Sequence, residues 1–189
     1  MKETWEKLKS ILKDDALEVF EYLNPGAKES QIVTLEKQLG VDLPSDYRTF
    51  LALCDGQDDD PDFGFYEGFL LSTTNIFEHW KRWQDALEAG EFNGNESTSQ
   101  PGVQNQWWNP KWIPFTHDGG SNHLCIDLDP AVDGKYGQVI AIGAKDPERT
   151  LRFASFTEWL EHVLSGLESG NIVFDYDMYC RLVDATEIA

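Results

Sequence analysis

Apolar residues in the first third of the chain recur every three or four positions, which is the spacing of one face of an α-helix. The pattern predicts a first helix over residues 2–23 and a second helix that ends at Gly40. A third helix is predicted to start at Leu43-Pro44, because proline suits a first helical turn, where its missing N–H would have no partner. Three amphipathic helices are therefore expected at the start of the chain.

The middle of the chain contains a strand-like stretch, a helical stretch and a polar segment. Residues 63–71 are rich in aromatic residues and predict a strand that bends at Gly68. A fourth helix is predicted next, with Asn75 as its N-cap and Glu78 completing a capping box. Residues 91–110 are polar and without a pattern, so we expect an inserted long loop that is either mobile or functional.

Short apolar runs separated by turn residues follow this loop. The runs 112–117, 123–128 and 138–142 are joined by segments rich in Gly, Asn and Asp, which favour the backbone angles of tight connections. They predict an antiparallel meander, and Ser155 is the expected cap of a last helix. The sequence indicates an α+β class, as a single domain over residues 1–189. Its expected core, over about residues 24–170, is an antiparallel sheet packed with helices.

The charge balance narrows the classes of partner. Lys and Arg total 15 against 34 Asp and Glu, a formal net charge of -19, and 13% of the residues are aromatic. A disordered acidic tail would lack the aromatic residues. Nucleic acid and an anionic membrane surface are unfavourable partners, because both carry negative charge. We therefore expect a folded protein whose partners are neutral or basic.

The expected location is the cytoplasm. The sequence contains no apolar run of about 18 residues that could span a bilayer. Its first twelve residues are amphipathic and lack the apolar centre of a secretory signal. The three cysteines are an odd number among apolar neighbours, which is typical of free thiols in a reducing compartment.

A series of short motifs follows in order between about residues 24 and 167. They are Asn24-Pro25-Gly26, Leu43-Pro44-Ser45-Asp46-Tyr47, Asp55-Gly56, Trp112-Ile113-Pro114-Phe115, Asp118-Gly119-Gly120, Cys125-Ile126-Asp127, Gly137-Gln138-Val139-Ile140 and Phe156-Thr157-Glu158-Trp159. Together they resemble the SUKH superfamily of Smi/Knr-type proteins. The resemblance implies an α+β domain without enzymatic activity. Bacterial members of the superfamily are commonly immunity proteins that neutralise toxins, and fungal members are larger regulators of cell-wall synthesis.

The resemblance and the charge together give a functional expectation. A chain of this length resembles the bacterial members, so we expect an immunity protein that binds a cognate protein toxin. A toxin that cleaves nucleic acid must itself be basic to hold phosphates, and an acidic inhibitor can occupy the same surface. The alternative that remains open is a regulatory or scaffold protein of the cell-wall type, bound to another basic protein.

Acidic loops and two tryptophans are the candidate binding residues. Complementary charge speeds protein association, and tryptophan is enriched at the energetic centres of interfaces. The candidates are Asp55, Asp58, Asp59, Asp60, Asp62 and Glu67 after the third helix; Asp118, Asp127, Asp129 and Asp133 around the meander turns; and Trp107 and Trp108 in the polar loop.

We expect no cofactor, no metal ion and no catalytic residue. Asp58, Asp60 and Asp62 have the first three spacings of a calcium-binding EF-hand loop. Phe63 and Phe69 occupy the positions where that loop requires glycine and glutamate, so the ligand set is incomplete.

Two further kinds of chemistry are less favoured alternatives. His117, His123 and Asp127 could bind zinc across a hairpin, but two histidines in a turn region are more often ordinary polar residues. A hydrolase that uses clustered carboxylates and a divalent metal ion also remains open. With 34 acidic residues, however, some close pairs are expected in any fold.

Overall fold

The computed structural model describes residues 1–58, 62–177 and 180–188. The helices are α1 (Lys2–Asp15), α2 (Leu17–Glu21), α3 (Glu29–Leu39), α4 (Ser45–Leu51), α5 (Thr73–Glu88) and α6 (Phe156–Ser169), with a short 3₁₀ helix at Ala185–Glu187. The strands are β1 (Phe69–Leu70), β2 (Thr98–Ser99), β3 (Trp112–Pro114), β4 (Thr116–His117), β5 (Asn122–Asp127), β6 (Gln138–Gly143), β7 (Glu148–Phe153), β8 (Ile172–Asp175) and β9 (Arg181–Asp184). The predicted α+β class is confirmed.

Among the described residues, five strands form the main sheet in the order β2-β7-β6-β5-β3. Strands β3, β5, β6 and β7 pair antiparallel, so the predicted meander is confirmed. Two antiparallel pairs, β1 with β4 and β8 with β9, lie outside this sheet. The last pair forms from the chain that follows α6, at the C-terminal side of the fold.

One face of the main sheet packs against the helices through a cluster of aromatic rings. The rings of Phe50 in α4 and Phe156 in α6 have centroids 4.8 Å apart, and Trp5 of α1 lies 5.0 Å from Phe50. Phe115, between β3 and β4, contacts Trp159 of α6 at 5.1 Å. Each large apolar side chain buried in this way stabilises the fold by about 1.5–3 kcal/mol, so this cluster ties the helices to the sheet.

The opposite face of the sheet is also buried. Successive residues of a strand point to opposite faces, and in β6 Val139 belongs to the helical core whereas Ile140 and Ile142 belong to a second apolar cluster. Trp83 of α5 and Trp108 complete the second cluster with stacked rings 5.1 Å apart. The sheet therefore lies between two cores.

The polar segment 91–110 covers this second face, so the expectation of a patternless loop is wrong in part. It supplies β2, which pairs in parallel with β7 through Thr98 and Glu148. It also supplies Val103 and Trp108 to the second apolar cluster. A segment with few apolar residues gave no periodic signal in the sequence, although it is held against the sheet.

Three predicted elements have different bounds in the structure. The helix predicted over residues 2–23 is broken at Ala16, where φ is −149° and ψ is 59°. The predicted strand over residues 63–71 is reduced to β1, because positive φ angles at Glu67 and Gly68 interrupt the extended backbone; the bend at Gly68 is confirmed. Helix α5 begins earlier than predicted, since its N-cap is Ser72, whose side chain accepts the N–H of Asn75 at 3.3 Å.

Gly56 allows the chain that follows α4 to pack closely against the chain that leads into α5. It has a φ of +68°, and a Cβ atom placed on it would lie 2.4 Å from the carbonyl carbon of Leu71. Its own carbonyl oxygen accepts the N–H of Asn24 at 2.9 Å. Two backbone segments therefore meet at this glycine with no room for a side chain.

We predict that Gly56→Ala destabilises the protein more than Gly40→Ala does. Gly40 has nearly the same φ, +66°, but nothing lies within 4 Å of its position for a Cβ. Gly40→Ala should cost only the left-handed strain, about 1–2 kcal/mol, and Gly56→Ala should cost at least about 1 kcal/mol more through the clash. Urea unfolding of both variants measures the difference, and equal losses would show that the close approach has no energetic effect.

Candidate functional site

The acidic segment after α4 contains one carboxylate with a structural role. Asp55 is half-buried and accepts hydrogen bonds from the backbone N–H and the hydroxyl of Thr73, at 2.6 and 3.2 Å. Burial raises the pKa of this carboxyl above its ordinary value, and the two bonds oppose the rise. Asp55 thus holds the first residue of α5, and its carboxylate is engaged within the fold.

The other residues of this segment differ in their surroundings. Asp58 and Asp62 are exposed, and Asp62 accepts a hydrogen bond of 2.9 Å from the Tyr22 hydroxyl. Glu67 is half-buried and pairs with Arg152 across to β7; burial raises the pKa of its carboxyl. The candidates Asp59 and Asp60 lie outside the described residues. Because the possible calcium ligands include Asp60, the structure does not describe that set as a whole. Asp58 and Asp62 are therefore the described members of this segment that face solvent.

The acidic residues around the meander turns do not form one cluster, which corrects the sequence-based grouping. Asp118 precedes β5 and accepts the N–H groups of Gly120 and Asn122 at 2.8 and 3.2 Å. Burial opposes their effect, yet these bonds hold the pKa of Asp118 below its ordinary value. Asp129 and Asp133 follow β5, a strand of six residues that spans roughly 17 Å. The two groups lie at opposite ends of the sheet.

Asp127 is buried, so its assignment as a partner-binding residue is wrong. It has 0% exposure and accepts hydrogen bonds from the Gln138 side chain at 2.8 Å and the Asp129 N–H at 2.9 Å. Burial raises the pKa of its carboxyl. Asp129 and Asp133 are exposed, and Asp129 accepts a hydrogen bond from the Asn109 side chain at 2.8 Å.

The tryptophan pair packs in the second apolar cluster, Trp108 as a buried member and Trp107 as a partly buried one. Trp108 is 2% exposed and stacks on Trp83. Trp107 is half-buried, and the Arg149 guanidinium lies 4.8 Å from its ring centroid. The carbonyl oxygen of Trp107 also accepts two hydrogen bonds from Arg149, at 2.7 and 3.1 Å. Both rings hold the segment 91–110 on the sheet.

A cluster of three histidines lies between α5 and the β4–β5 turn. The ring of His79 is 4.9 Å from that of His117 and 5.1 Å from that of His123, between ring centroids. Burial, together with the neighbouring rings and Arg82, lowers the pKa of His79 to about 3. Burial likewise lowers the pKa of His123 to about 4 and that of His117 below its ordinary value, although Asp118 opposes the shift at His117. The cluster is therefore neutral at physiological pH.

His79 was missed in the sequence, although the helical pattern contains the signal. It lies three residues after Ile76 and four before Trp83, so it shares their face of α5. A cavity of about 230 Å³ beside the cluster is lined by Trp83 and Phe92 and by the charged side chains of Arg82 and Glu91.

The structure does not assemble the zinc set considered above. His123 and Asp127 are separated by four positions along β5, roughly 13 Å. Throughout the part of the chain that the structure describes, no group of three or more His, Cys, Asp or Glu residues is arranged to hold a metal ion. In the same residues, no helix has both the length and the apolar character needed to cross a membrane.

Sequence comparison identifies the family. The profile of the SMI1 / KNR4 family (SUKH-1) matches residues 26–162, which include α3, α4, α5, the whole main sheet and the first half of α6. The chain belongs to the SMI1 / KNR4 family. The predicted resemblance is confirmed, and the matched region contains the whole second apolar cluster of this SMI1 / KNR4 domain but only part of the helical core.

Three relatives of this SMI1 / KNR4 domain are named as regulators. The glucan synthesis regulatory protein of Neurospora crassa is 25% identical over 92% of this chain and 40% of that protein. The cell wall biosynthesis/cell cycle regulator smi1 of Schizosaccharomyces pombe is 29% identical over 93% of this chain and 38% of that protein. The cell wall assembly regulator SMI1 of Saccharomyces cerevisiae is 26% identical over 83% and 39%. The chain thus spans about two fifths of the length of these relatives.

We predict that Asp55 and Asp58 of this SMI1 / KNR4 domain respond differently to the same substitution. Asp55→Ala should lower the free energy of unfolding by about 1–3 kcal/mol, because it leaves the buried Thr73 N–H without its acceptor. Asp58→Ala removes the same charge from an exposed position and should change stability by less than about 0.5 kcal/mol. Chemical denaturation of both variants tests this, and equal effects would contradict a structural role for Asp55.

We predict that the histidine cluster makes the domain less stable in mild acid. In the unfolded chain the histidines bind protons below about pH 6.5, whereas the folded protein excludes them from His79 and His123 until about pH 3–4. Between these values the unfolded state binds more protons, so the free energy of unfolding falls as the pH falls. Each proton of difference contributes at most about 1.4 kcal/mol per pH unit.

Urea unfolding at about pH 7.5 and about pH 5 measures this loss. His79→Gln should lose less stability between the two values than the wild-type protein. The idea fails if His79→Gln loses as much stability between the two pH values as the wild-type protein.

Proposed function

We propose that the chain is a non-enzymatic protein-binding module of a regulatory protein, of the kind that controls cell-wall synthesis. One observation carries the proposal: relatives that match 83–93% of the chain are named as regulators of glucan synthesis or of the cell wall. These names describe whole proteins of which the chain spans about two fifths. The regulatory activity is therefore proposed for a module that acts together with other segments.

The charge supports a basic protein as the partner. A net charge of -19 attracts basic surfaces over distances beyond direct contact and repels nucleic acid and anionic membranes. Asp58, Asp62, Asp129 and Asp133 are the exposed candidates for the first encounter. These residues lie at separate places on the fold. Their arrangement favours long-range attraction of a partner and not a single acidic surface on which the partner docks.

The cysteines support a cytoplasmic location for the module. Cys54 and Cys125 are buried free thiols, and Cys180 is a half-buried one. Burial raises the pKa of the Cys54 thiol to about 12, which keeps it protonated and unreactive. Free thiols persist in a reducing compartment.

The named relatives favour regulation over toxin immunity, which reverses the order expected from the sequence. Toxin immunity stays a prediction that follows from the acidic charge and the superfamily resemblance. Protection of bacterial cells against a toxin encoded beside the gene would support it. Failure to protect, together with activity in a fungal cell wall, would exclude it.

A chimera tests the regulatory proposal. We predict that replacing the matching segment of the fission yeast relative, about 38% of that protein, with this chain restores growth of cells that lack the relative. Growth is measured in the presence of a wall-digesting enzyme, where a defective wall causes lysis. Most of the wild-type growth should return, because the module supplies the same contacts.

A second chimera, carrying an unrelated acidic domain of similar length, is the control and should not restore growth. If the first chimera is produced at the same level and grows no better than the control, the regulatory proposal is contradicted.

A further inference from the structure

An apolar groove lies where α1, α6 and the β8–β9 hairpin meet. It has a volume of about 300 Å³ and lies outside the acidic loops and the histidine cluster. Its apolar lining includes Ile11, Leu12, Ala16, Leu167, Val173 and Phe174. A volume at the lower end of the range for ligand clefts, about 300–1,000 Å³, suits one or two large side chains of a partner protein.

The ends of two helices open into this groove. Helix α1 ends at Asp15, before the break at Ala16, and Gly170, with a left-handed φ of +73°, caps the end of α6. These three residues line the groove. The C-terminal end of a helix has a partial charge of about −0.5, owing to carbonyl groups without helical partners. The end of α6 therefore favours a cation at the groove, whereas the negative end of α1 is offset by the start of α2 at Leu17, directly after the break.

Side chains increase this negative charge. Asp15 is exposed and lines the groove, and Glu168 is exposed in the last turn of α6. Glu18, at the start of α2, accepts a hydrogen bond of 3.2 Å from the Tyr176 hydroxyl. Neither Lys13, the basic residue in the last turn of α1, nor Glu168 lines the groove. Asp15 is the charged residue of the described lining, and it forms no ion pair within the described residues.

Two apolar side chains near the groove are exposed. Leu17, directly after the helix break, is 46% exposed, and Tyr176, directly after β8, is 53% exposed. Tyr176 packs on the groove residue Phe174, with ring centroids 4.3 Å apart. Apolar surface next to a groove is typical of a contact that excludes water.

We propose that this groove docks a basic amphipathic segment of a partner protein. A leucine or aromatic side chain of the segment enters the cavity between Ile11 and Val173. An arginine or lysine lies beside Asp15 and the end of α6, with its aliphatic part on the apolar lining. The proposal rests on the proposed function, because it assumes a protein partner, and it identifies the surface and chemistry of that contact.

The geometry favours a basic segment over an acidic or purely apolar one. An acidic peptide would place its carboxylates against Asp15 and the negative end of α6. A purely apolar ligand would fill the cavity but leave the Asp15 carboxylate without a counter-ion. That carboxylate would then lie beside apolar surface of low dielectric constant. Arginine satisfies both requirements, because it joins an aliphatic stem to a cation.

Three fluorescein-labelled peptides of 14 residues are the probes. The first has leucines on one helical face and arginines on the other, the second has serine in place of leucine, and the third has glutamate in place of arginine. The first peptide should bind, as measured by fluorescence anisotropy, and shift the amide NMR signals of Ile11, Ala16 and Val173. The other two should bind at least about tenfold more weakly, because each lacks one half of the recognition.

Charge reversal in the protein distinguishes binding in the groove from general attraction of a basic peptide to an acidic surface. Asp15→Lys should weaken binding of the first peptide by about tenfold. Asp14→Lys makes the same change one position away, outside the groove lining, and should weaken binding by less than about threefold. Both variants place a lysine in the last turn of α1, where a cation is favourable, so the fold should persist.

Three results would overturn the proposal. They are equal binding of the leucine and serine peptides, equal effects of Asp15→Lys and Asp14→Lys, and amide shifts confined to residues outside the groove.

The Asp15→Lys chimera in fission yeast distinguishes this proposal from the proposed function. Loss of growth with Asp15→Lys, but not with Asp14→Lys, supports the groove as the contact of the regulatory module. Full growth with Asp15→Lys overturns the groove and leaves the proposed function intact. If the unsubstituted chimera fails to restore growth while the peptide still binds at Asp15, the proposed function is contradicted and the groove is supported.

Discussion

Both faces of the main sheet are buried, and the positions of the other elements depend on this constraint. In β5, Leu124 and Ile126 face the helices, whereas Cys125 faces the second cluster. The sheet therefore needs a cover on each side. The helices α1, α4 and α6 supply one, and α5 with the polar segment 91–110 supplies the other. Asp127, which lies on β5, is buried by this arrangement.

The sequence predicted the helices and the meander well, because each depends on a short-range pattern. The second core was not predicted, although the run 139–142 is apolar at every position, which is typical of a strand buried on both faces. What covers that face could not be predicted, since segment 91–110 contributes few apolar residues. The residues that these apolar side chains contact, among them Trp83 and Ile140, are distant from the segment in sequence.

Prediction of the candidate site succeeded less often, because exposure and partnership depend on contacts between distant residues. Asp55 and Asp58 belong to one acidic stretch, yet Asp55 is engaged by Thr73, eighteen positions away, and Asp58 faces solvent. The groove at the end of α1 was equally inaccessible to sequence reasoning. It depends on the break at Ala16, inside a run of residues whose spacing fits one continuous helix.

Arg149 gives the polar segment a role that its composition conceals. The side chain is buried in an acidic protein, and the carbonyl oxygens of Trp107, Asp146 and Glu148 surround its guanidinium. A deletion in segment 91–110 would leave a cation inside the protein with fewer acceptors, which is costly. We therefore expect natural variation to preserve the length of this segment more strictly than the identity of its exposed side chains. The segment has the composition of a surface loop. Like a strand or helix of the core, however, it should not tolerate a deletion.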